Sequence, residues 1–266
     1  MGLAIDTVVG HVVNAGATVT AVTVASGDSL TVRSFGPGAY ARLERVIRAG
    51  ASSGIVQVRS PMFHDNVRGI RFTSAEDPTV LLLPPEVGQP LTSQDTLIAE
   101  MTGGTAETDL AALVVYYSNV LGTSARLHSW GDISGNVKSI KPLEVDCTAS
   151  ATIGTWVDTV ATETENLLHA NTDYAVLGYV TDVNCAVVGI KGQETGNLRI
   201  CGPGTTVTDD TSDYFVKWSN RENTPHIPVI NAANIGSVYA SVVDSNASTA
   251  VKVQLILAEL MQNLAS

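Results

Sequence analysis

The chain has 266 residues, of which 44% are hydrophobic and only 15% charged, and 15 Lys and Arg face 26 Asp and Glu for a net charge of −11. That composition excludes a disordered chain, and the acidic balance without any Lys or Arg block argues against phosphate-rich partners and anionic membrane surfaces. No apolar run is long enough to span a bilayer, and no basic segment precedes an apolar stretch, so neither a membrane insertion nor an export signal is expected.

From the N-terminus, short runs of alternating side chains, Ile5 to Val13, Ala17 to Val24 and Leu30 to Phe35, are separated by Asn14-Ala15-Gly16 and Ser26-Gly27-Asp28. Closely spaced strands with such turns predict antiparallel pairs rather than strand-helix-strand units. The alternation continues through residues 39–47 and 54–59, then a short strand is expected at Gly69 to Phe72. Thr79 to Leu83 stops at Pro84-Pro85, Asp95 to Met101 follows, and Asp109 to Tyr117 is the last strong apolar run of this half. Proline, which lacks a backbone donor, confines the Thr79 strand to an edge or an end.

Residues 122–142 have a different character. Trp130, Ile133, Val137 and Ile140 recur every three to four positions, which places them on one face of a short helix ended by Pro142. This stretch is read as a linker between a first unit, 1–121, and a second, 143–266. Beyond it, Tyr174 to Val180, Gly196 to Gly204, Asp213 to Trp218, Ile227 to Ile230, Ser237 to Val243 and Val251 to Glu259 all read as strands. The tail Leu255 to Leu264 also carries a helical pattern that overlaps the closing strand.

The two halves look like copies of one design. Gly54-Ile-Val-Gln-Val-Arg-Ser-Pro61 matches Gly196-Asn-Leu-Arg-Ile-Cys-Gly-Pro-Gly204, each a Gly-opened alternating strand closed by a small residue and Pro. Tyr40 to Val46 then matches Tyr174 to Val180, Gly69 to Phe72 matches Asp213 to Trp218, and Asp109 to Tyr117 matches Val251 to Glu259. Keeping these matches in register puts about eight extra residues in the second copy between Cys185 and Glu194, since loops tolerate insertion best.

About eight antiparallel strands per half, with no room for helical crossovers, predict an all-β chain of two tandem antiparallel jelly-roll units, each a β-sandwich. A chain with two such units resembles the double jelly-roll capsid proteins of icosahedral viruses and phages. The resemblance implies a virion structural protein, with a homotrimer forming a pseudo-hexagonal tile and with other capsid proteins as neighbours. Unlike that family's usual members, the chain has no basic N-terminal arm and no long tower loops. A decoration or cement protein on a shell of another fold is therefore the alternative role. Jelly rolls also host sugars and metals, so a carbohydrate-binding or cupin-like protein is the alternative of another class.

Residues that could carry chemistry are sparse. Gly36-Pro37-Gly38-Ala39-Tyr40-Ala41 fits a dinucleotide fingerprint, but strand-like residues follow where a helix N-terminus is needed, so no cofactor is assigned. His11, His64, His128, His169 and His226 stand without a second ligand at metal-binding spacing, and His64-Asp65 has no accompanying nucleophile. Asp209, Asp210 and Asp213 form a weak candidate for calcium without the spacing of an EF-hand. Cys147, Cys185 and Cys201, an odd number with no Cys-x-x-Cys, are expected as free buried thiols. No catalytic residue is assigned. Loops poor in charge, Gly103 to Thr108 and Ala232 to Ser237, are expected at subunit contacts, with Gly103, Gly104, Ala232, Ala233 and Asn234 as interface candidates.

Overall fold

The computed structural model describes residues 2–17, 20–21, 23–24, 31–34, 38–50, 53–60, 69–74, 79–82, 89–120, 125–162, 167–183, 185–204 and 211–264. The fold is mostly β, with antiparallel pairing throughout the ladders.

The first half contains β1 (Gly2–Val13), β2 (Thr20–Ala21), β3 (Thr23–Val24), β4 (Tyr40–Ala49), β5 (Gly54–Arg59), β6 (Ile70–Ser74), β7 (Thr79–Leu82), β8 (Gln89–Leu91), β9 (Ile98–Met101) and β10 (Thr108–Val120). One sheet runs β3-β1-β10-β4-β7, with β8 also paired to β4, and a second runs β2-β9-β5-β6. The second half contains β11 (Leu127–His128), α1 (Trp130–Ser134), β12 (Val137–Thr148), β13 (Val157–Val160), β14 (Asp173–Thr181), β15 (Cys185–Lys191), β16 (Ile200–Gly204), α2 (Tyr214–Glu222), β17 (Ile227–Asn231), β18 (Tyr239–Val243) and β19 (Ala250–Leu260). Its sheets run β11-β17-β14-β19-β12 and β13-β18-β15-β16.

Setting β3, β8 and β11 aside leaves eight strands per half, and these pair in one order. In both halves the first, eighth, third and sixth strands make one sheet, and the second, seventh, fourth and fifth make the other. The internal repeat is therefore a repeat of topology, and it corrects two of the sequence matches. β5 corresponds to β15 and β6 to β16, so Gly54 to Pro61 is not the counterpart of Gly196 to Gly204, nor is Gly69 to Phe72 that of Asp213 to Trp218. The extra residues of the second copy fall between β16, which ends at Gly204, and β17, which starts at Ile227; the Cys185 to Glu194 stretch holds none of them. The equivalent gap in the first copy runs only from Ser74 to Thr79.

That longer connection contains α2, over residues read from the sequence as a strand. Its buried residues are Val216 and, on one side, Tyr214, Phe215, Trp218, Ser219 and Glu222. Spacings of one, four, five and eight from Tyr214 place the last five on one side of a helix, which a period of two cannot do. The helix predicted across Trp130 to Ile140 is limited to α1, which a capping box between Ser129 and Asp132 opens. β12 starts at Val137 and carries Pro142 opposite Ile256, while β11 pairs with β17, so the stretch read as linker contributes two strands to the second unit. The tail is strand, not helix, as far as Leu260.

Burial explains the sequence of β10. Leu110 to Tyr117 is apolar throughout because both faces are covered. Leu113, Val115 and Tyr117 join Val46, Val56 and Met101 in the core of the first unit. Leu110, Ala112, Val114 and Tyr116 face outward and join a cluster that includes the core of the second unit.

Candidate functional site

The outward face of β1, β10 and β4 lies on the second unit, against β15, β16 and α2. Ile5, Val9 and Ile47 provide the apolar part of this seam. Thr7 faces Cys201, and His11 abuts Gly154. Close approach is possible because β15 has Gly189 opposite Cys201, where a Cβ would sit 2.2 Å from the Cys201 Sγ.

At one end of the seam the apolar contacts give way to charge. Arg42, Glu44, Arg45 and Arg48 are all buried on β4, with Arg45 and Arg48 fully enclosed. Four charges in one ten-residue strand break strict alternation, and the β4-β10 register shifts between Val114 and Val115, which brings both Glu44 and Arg45 toward the seam. The Glu44 carboxylate accepts from Arg42 Nη2 at 2.9 Å and from Arg45 Nη1 at 3.0 Å. His226, just ahead of β17, places Nε2 3.0 Å from each carboxylate oxygen. Since a carboxylate only accepts, the shared proton sits on Nε2. His226 Nδ1 lies 3.0 Å from Thr224 Oγ1 and 3.1 Å from its carbonyl oxygen.

Aromatic rings close the cluster. The Arg45 guanidinium lies 4.0 Å from the centroid of Trp218 and 5.4 Å from that of Tyr214, both on α2. Arg42 lies 4.9 Å over Tyr116, which stacks on His226 at 5.3 Å. Glu222 of α2 adds a second carboxylate 3.5 Å from Arg42. Burial alone would push the Glu44 pKa up; the facing His226, then Arg45 and Arg42, outweigh it and hold the pKa down at about 2. Burial, and then the Glu44 charge, pushes the Tyr116 phenol up. Arg48 forms its own enclosed pair with Asp109 at the end of β4.

Glu44 and His226 are 4% and 1% exposed, so this arrangement holds the units together and offers a substrate no access. Inside the first unit a cavity of about 10 Å³, room for one water, lies among Val8, Val32, Leu97 and Tyr117. Among the described residues no three His, Cys, Asp or Glu side chains converge as a metal site, and no helix is long and apolar enough to cross a membrane.

The residues singled out from the sequence are scattered. Gly103 and Gly104 belong to a loop tied to the β1 turn by Gly103 N to Gly16 O, Gly16 N to Gly104 O and Asn14 N to Glu107 O bonds. Gly103 is required there by packing, because a Cβ would lie 1.9 Å from Asp109 Oδ2. Ala232, Ala233 and Asn234 sit in a 3-10 turn on the other unit, where Asn231 caps Ala233 and Asn234 Nδ2 donates to Glu194 Oε1. Ala233 and Asn234 are exposed. Asp209, Asp210, Gly36, Pro37, His64 and Asp65 lie outside the described residues. Asp213 pairs with Lys217, one helical turn on, at 2.8 Å. After Gly38 comes strand β4, where a dinucleotide fold would have a helix. The three cysteines are free and buried. The seam cluster went unread because its partners are far apart in sequence; its visible trace was the crowding of charge in β4.

No protein-family model matches the chain, and no curated protein matches it. Among solved structures it is similar to the PBSX exported protein XepA, over 92% of this chain and 88% of that one, at 10% identity and a TM-score of 0.21. A likeness of that size carries no argument about fold or function.

Proposed function

We propose that the chain is a non-enzymatic structural subunit of a virus particle, two tandem jelly-roll units forming a trimeric capsid tile. The observation that carries this reading is the strand order. Eight strands pair first-eighth-third-sixth and second-seventh-fourth-fifth, and the order occurs twice in one chain, which supports reading each half as a jelly roll. The buried seam supports the same reading, since a continuous buried cluster and the Glu44–His226 contact join the two units. Two like units in a fixed pair fill a near-hexagonal outline when three chains meet on a threefold axis, a closed symmetry with a repeated heterologous contact. In this role the partners are further copies and other capsid proteins, and the location is the virion.

Light scattering and negative-stain imaging of the full chain at micromolar concentration test the proposal. The expected species has three times the 27.8 kDa chain mass, or is a shell built from it. A monodisperse monomer that stays monomeric on concentration would defeat it.

A further inference from the structure

We infer that copies of the chain meet by repeating, between chains, the contact that joins the two units within one chain. In this arrangement the outer face of β12, β19 and β14 receives the outer face of β5, β6 and β9 of a second copy. The inference rests on the trimeric reading above and names the surfaces that would build it.

Register equates the two faces position by position. Ile5↔Tyr116, Thr7↔Val114, Val9↔Ala112 and His11↔Leu110 in the first unit correspond to Ile140↔Ala258, Pro142↔Ile256, Glu144↔Gln254 and Asp146↔Lys252 in the second. The first set is covered by the second unit. Most of the second set is open: Ile140 is 53% exposed, the Glu144 and Asp146 side chains are 53% and 85% exposed, Gln254 and Ile256 are half-buried, and Ala258 is buried. Ile140, Pro142 and Ile256 thus form an apolar row on an outer sheet face, bordered at one end by Glu144, Asp146 and Asp182 around Lys252 and at the other by Lys138, which pairs with Glu259. Three carboxylates against one ammonium make the Lys252 end of the row negative.

The proposed receiving face has the opposite balance. Val56, Val58, Ala99 and Met101 point into the first unit's core, which places the half-buried Arg59 and Glu100 on the outer face with Gln57, itself buried there, and the exposed Arg71 of β6 projects beside them. Arg59 donates to Glu100, and Arg71 donates to Gln57. Two arginines against one glutamate give a positive patch on a chain of net charge −11. Within the chain, the places of Gln57 and Arg71 are taken by Gly189 and Cys201, small residues that let Thr7 approach. Between chains, Pro142 replaces Thr7 and Arg71 replaces Cys201. A long cation then stands where the opposing face carries Glu144, one cross-strand row from Pro142. Complementary charge of this kind selects the partner face and fixes register.

Sedimentation and light scattering on the full chain test this with Arg71→Glu, the pair Glu144→Arg with Asp146→Arg, all three together, and separately Ile140→Arg; circular dichroism confirms the fold of each. The charge reversals should each weaken self-association at least ~10-fold, and the three together should restore most of it. Ile140→Arg should weaken it without rescue, and this holds as an independent reading if a charge variant misfolds. A trimeric wild type whose variants all associate normally overturns the surfaces and leaves the trimer standing. Reversals that weaken association but do not rescue one another overturn the pairing of these two faces. A wild type monomeric up to roughly 100 μM overturns the trimer and this inference with it.

Discussion

His226 Nε2 lies 3.0 Å from both carboxylate oxygens of Glu44, a contact between residues 182 positions apart that joins the two halves of the chain. Glu44 belongs to the repeat's third strand in the first copy, and His226 leads into the sixth strand of the second. Two halves with one strand order are thus joined by a cluster that the order itself does not repeat: the strand of the second half equivalent to β4 carries no arginine or glutamate.

Replacing Glu44 with Gln should destabilise the chain by about 3 kcal/mol, because Arg42, Arg45 and His226 lose the charge that compensates their burial. For a chain of this size that corresponds to a fall of roughly 6–12 °C in Tm. Calorimetry on wild type and variant measures it; a shift below about 1 °C would show that Glu44 does not hold the seam.

Acid should weaken the protein between pH 4.5 and 2. The folded Glu44 pKa of about 2 lies below its ordinary value of 4.5. The same holds for Asp158, where burial opposes but Arg199, Lys191 and Ser241 bind the carboxylate and bring it to about 2 from 3.8. Groups depressed on folding stabilise the folded state above their unfolded pKa, and that stabilisation is lost as pH falls through the folded value. A plot of Tm against pH should therefore drop across this window, and Glu44→Gln should drop less steeply; equal slopes would remove Glu44 from the explanation.

Gly189→Val should cost about 1–3 kcal/mol by overpacking the seam, since the new Cβ meets the Cys201 Sγ at 2.2 Å and the Ile200 carbonyl oxygen at 2.7 Å. Denaturant unfolding checks this. Stability equal to wild type would mean that β15 and β16 separate at no cost.

The three thiols should be silent toward an aromatic disulfide reagent in the native state and react fully once unfolded. All three are buried, and burial pushes Cys201 up to about 12, which leaves almost no thiolate at neutral pH. Rapid native reaction of one equivalent would show that a strand carrying a cysteine opens readily.

Much of the architecture was legible in the sequence because it follows from local rules. Period-two alternation located most strands, such as Gly54–Arg59 and Tyr239–Val243, and the apolar run from Leu110 to Tyr117 carried its burial on both faces in its composition. The match of Tyr40 to Val46 with Tyr174 to Val180 found a true pair of repeat strands, β4 and β14. What misled was local resemblance without a partner. Gly54 to Pro61 and Gly196 to Gly204 share a pattern that any half-buried strand with turn residues shows, and only hydrogen-bond pairing assigns them to β5 and β16. Tyr214 to Trp218 is aromatic and β-branched enough to read as a strand, yet it folds as α2. In that form Trp218 meets Arg45, Tyr214 meets Tyr179, and the helix packs against β14 and β17. The charges in β4 were decided by tertiary structure alone. A strand's period tells which face a side chain takes, but whether an arginine or glutamate on that face meets water or a buried counter-charge depends on residues nearly two hundred positions away. Desolvation makes that difference matter, because a buried charge without its counter-charge costs several kcal/mol.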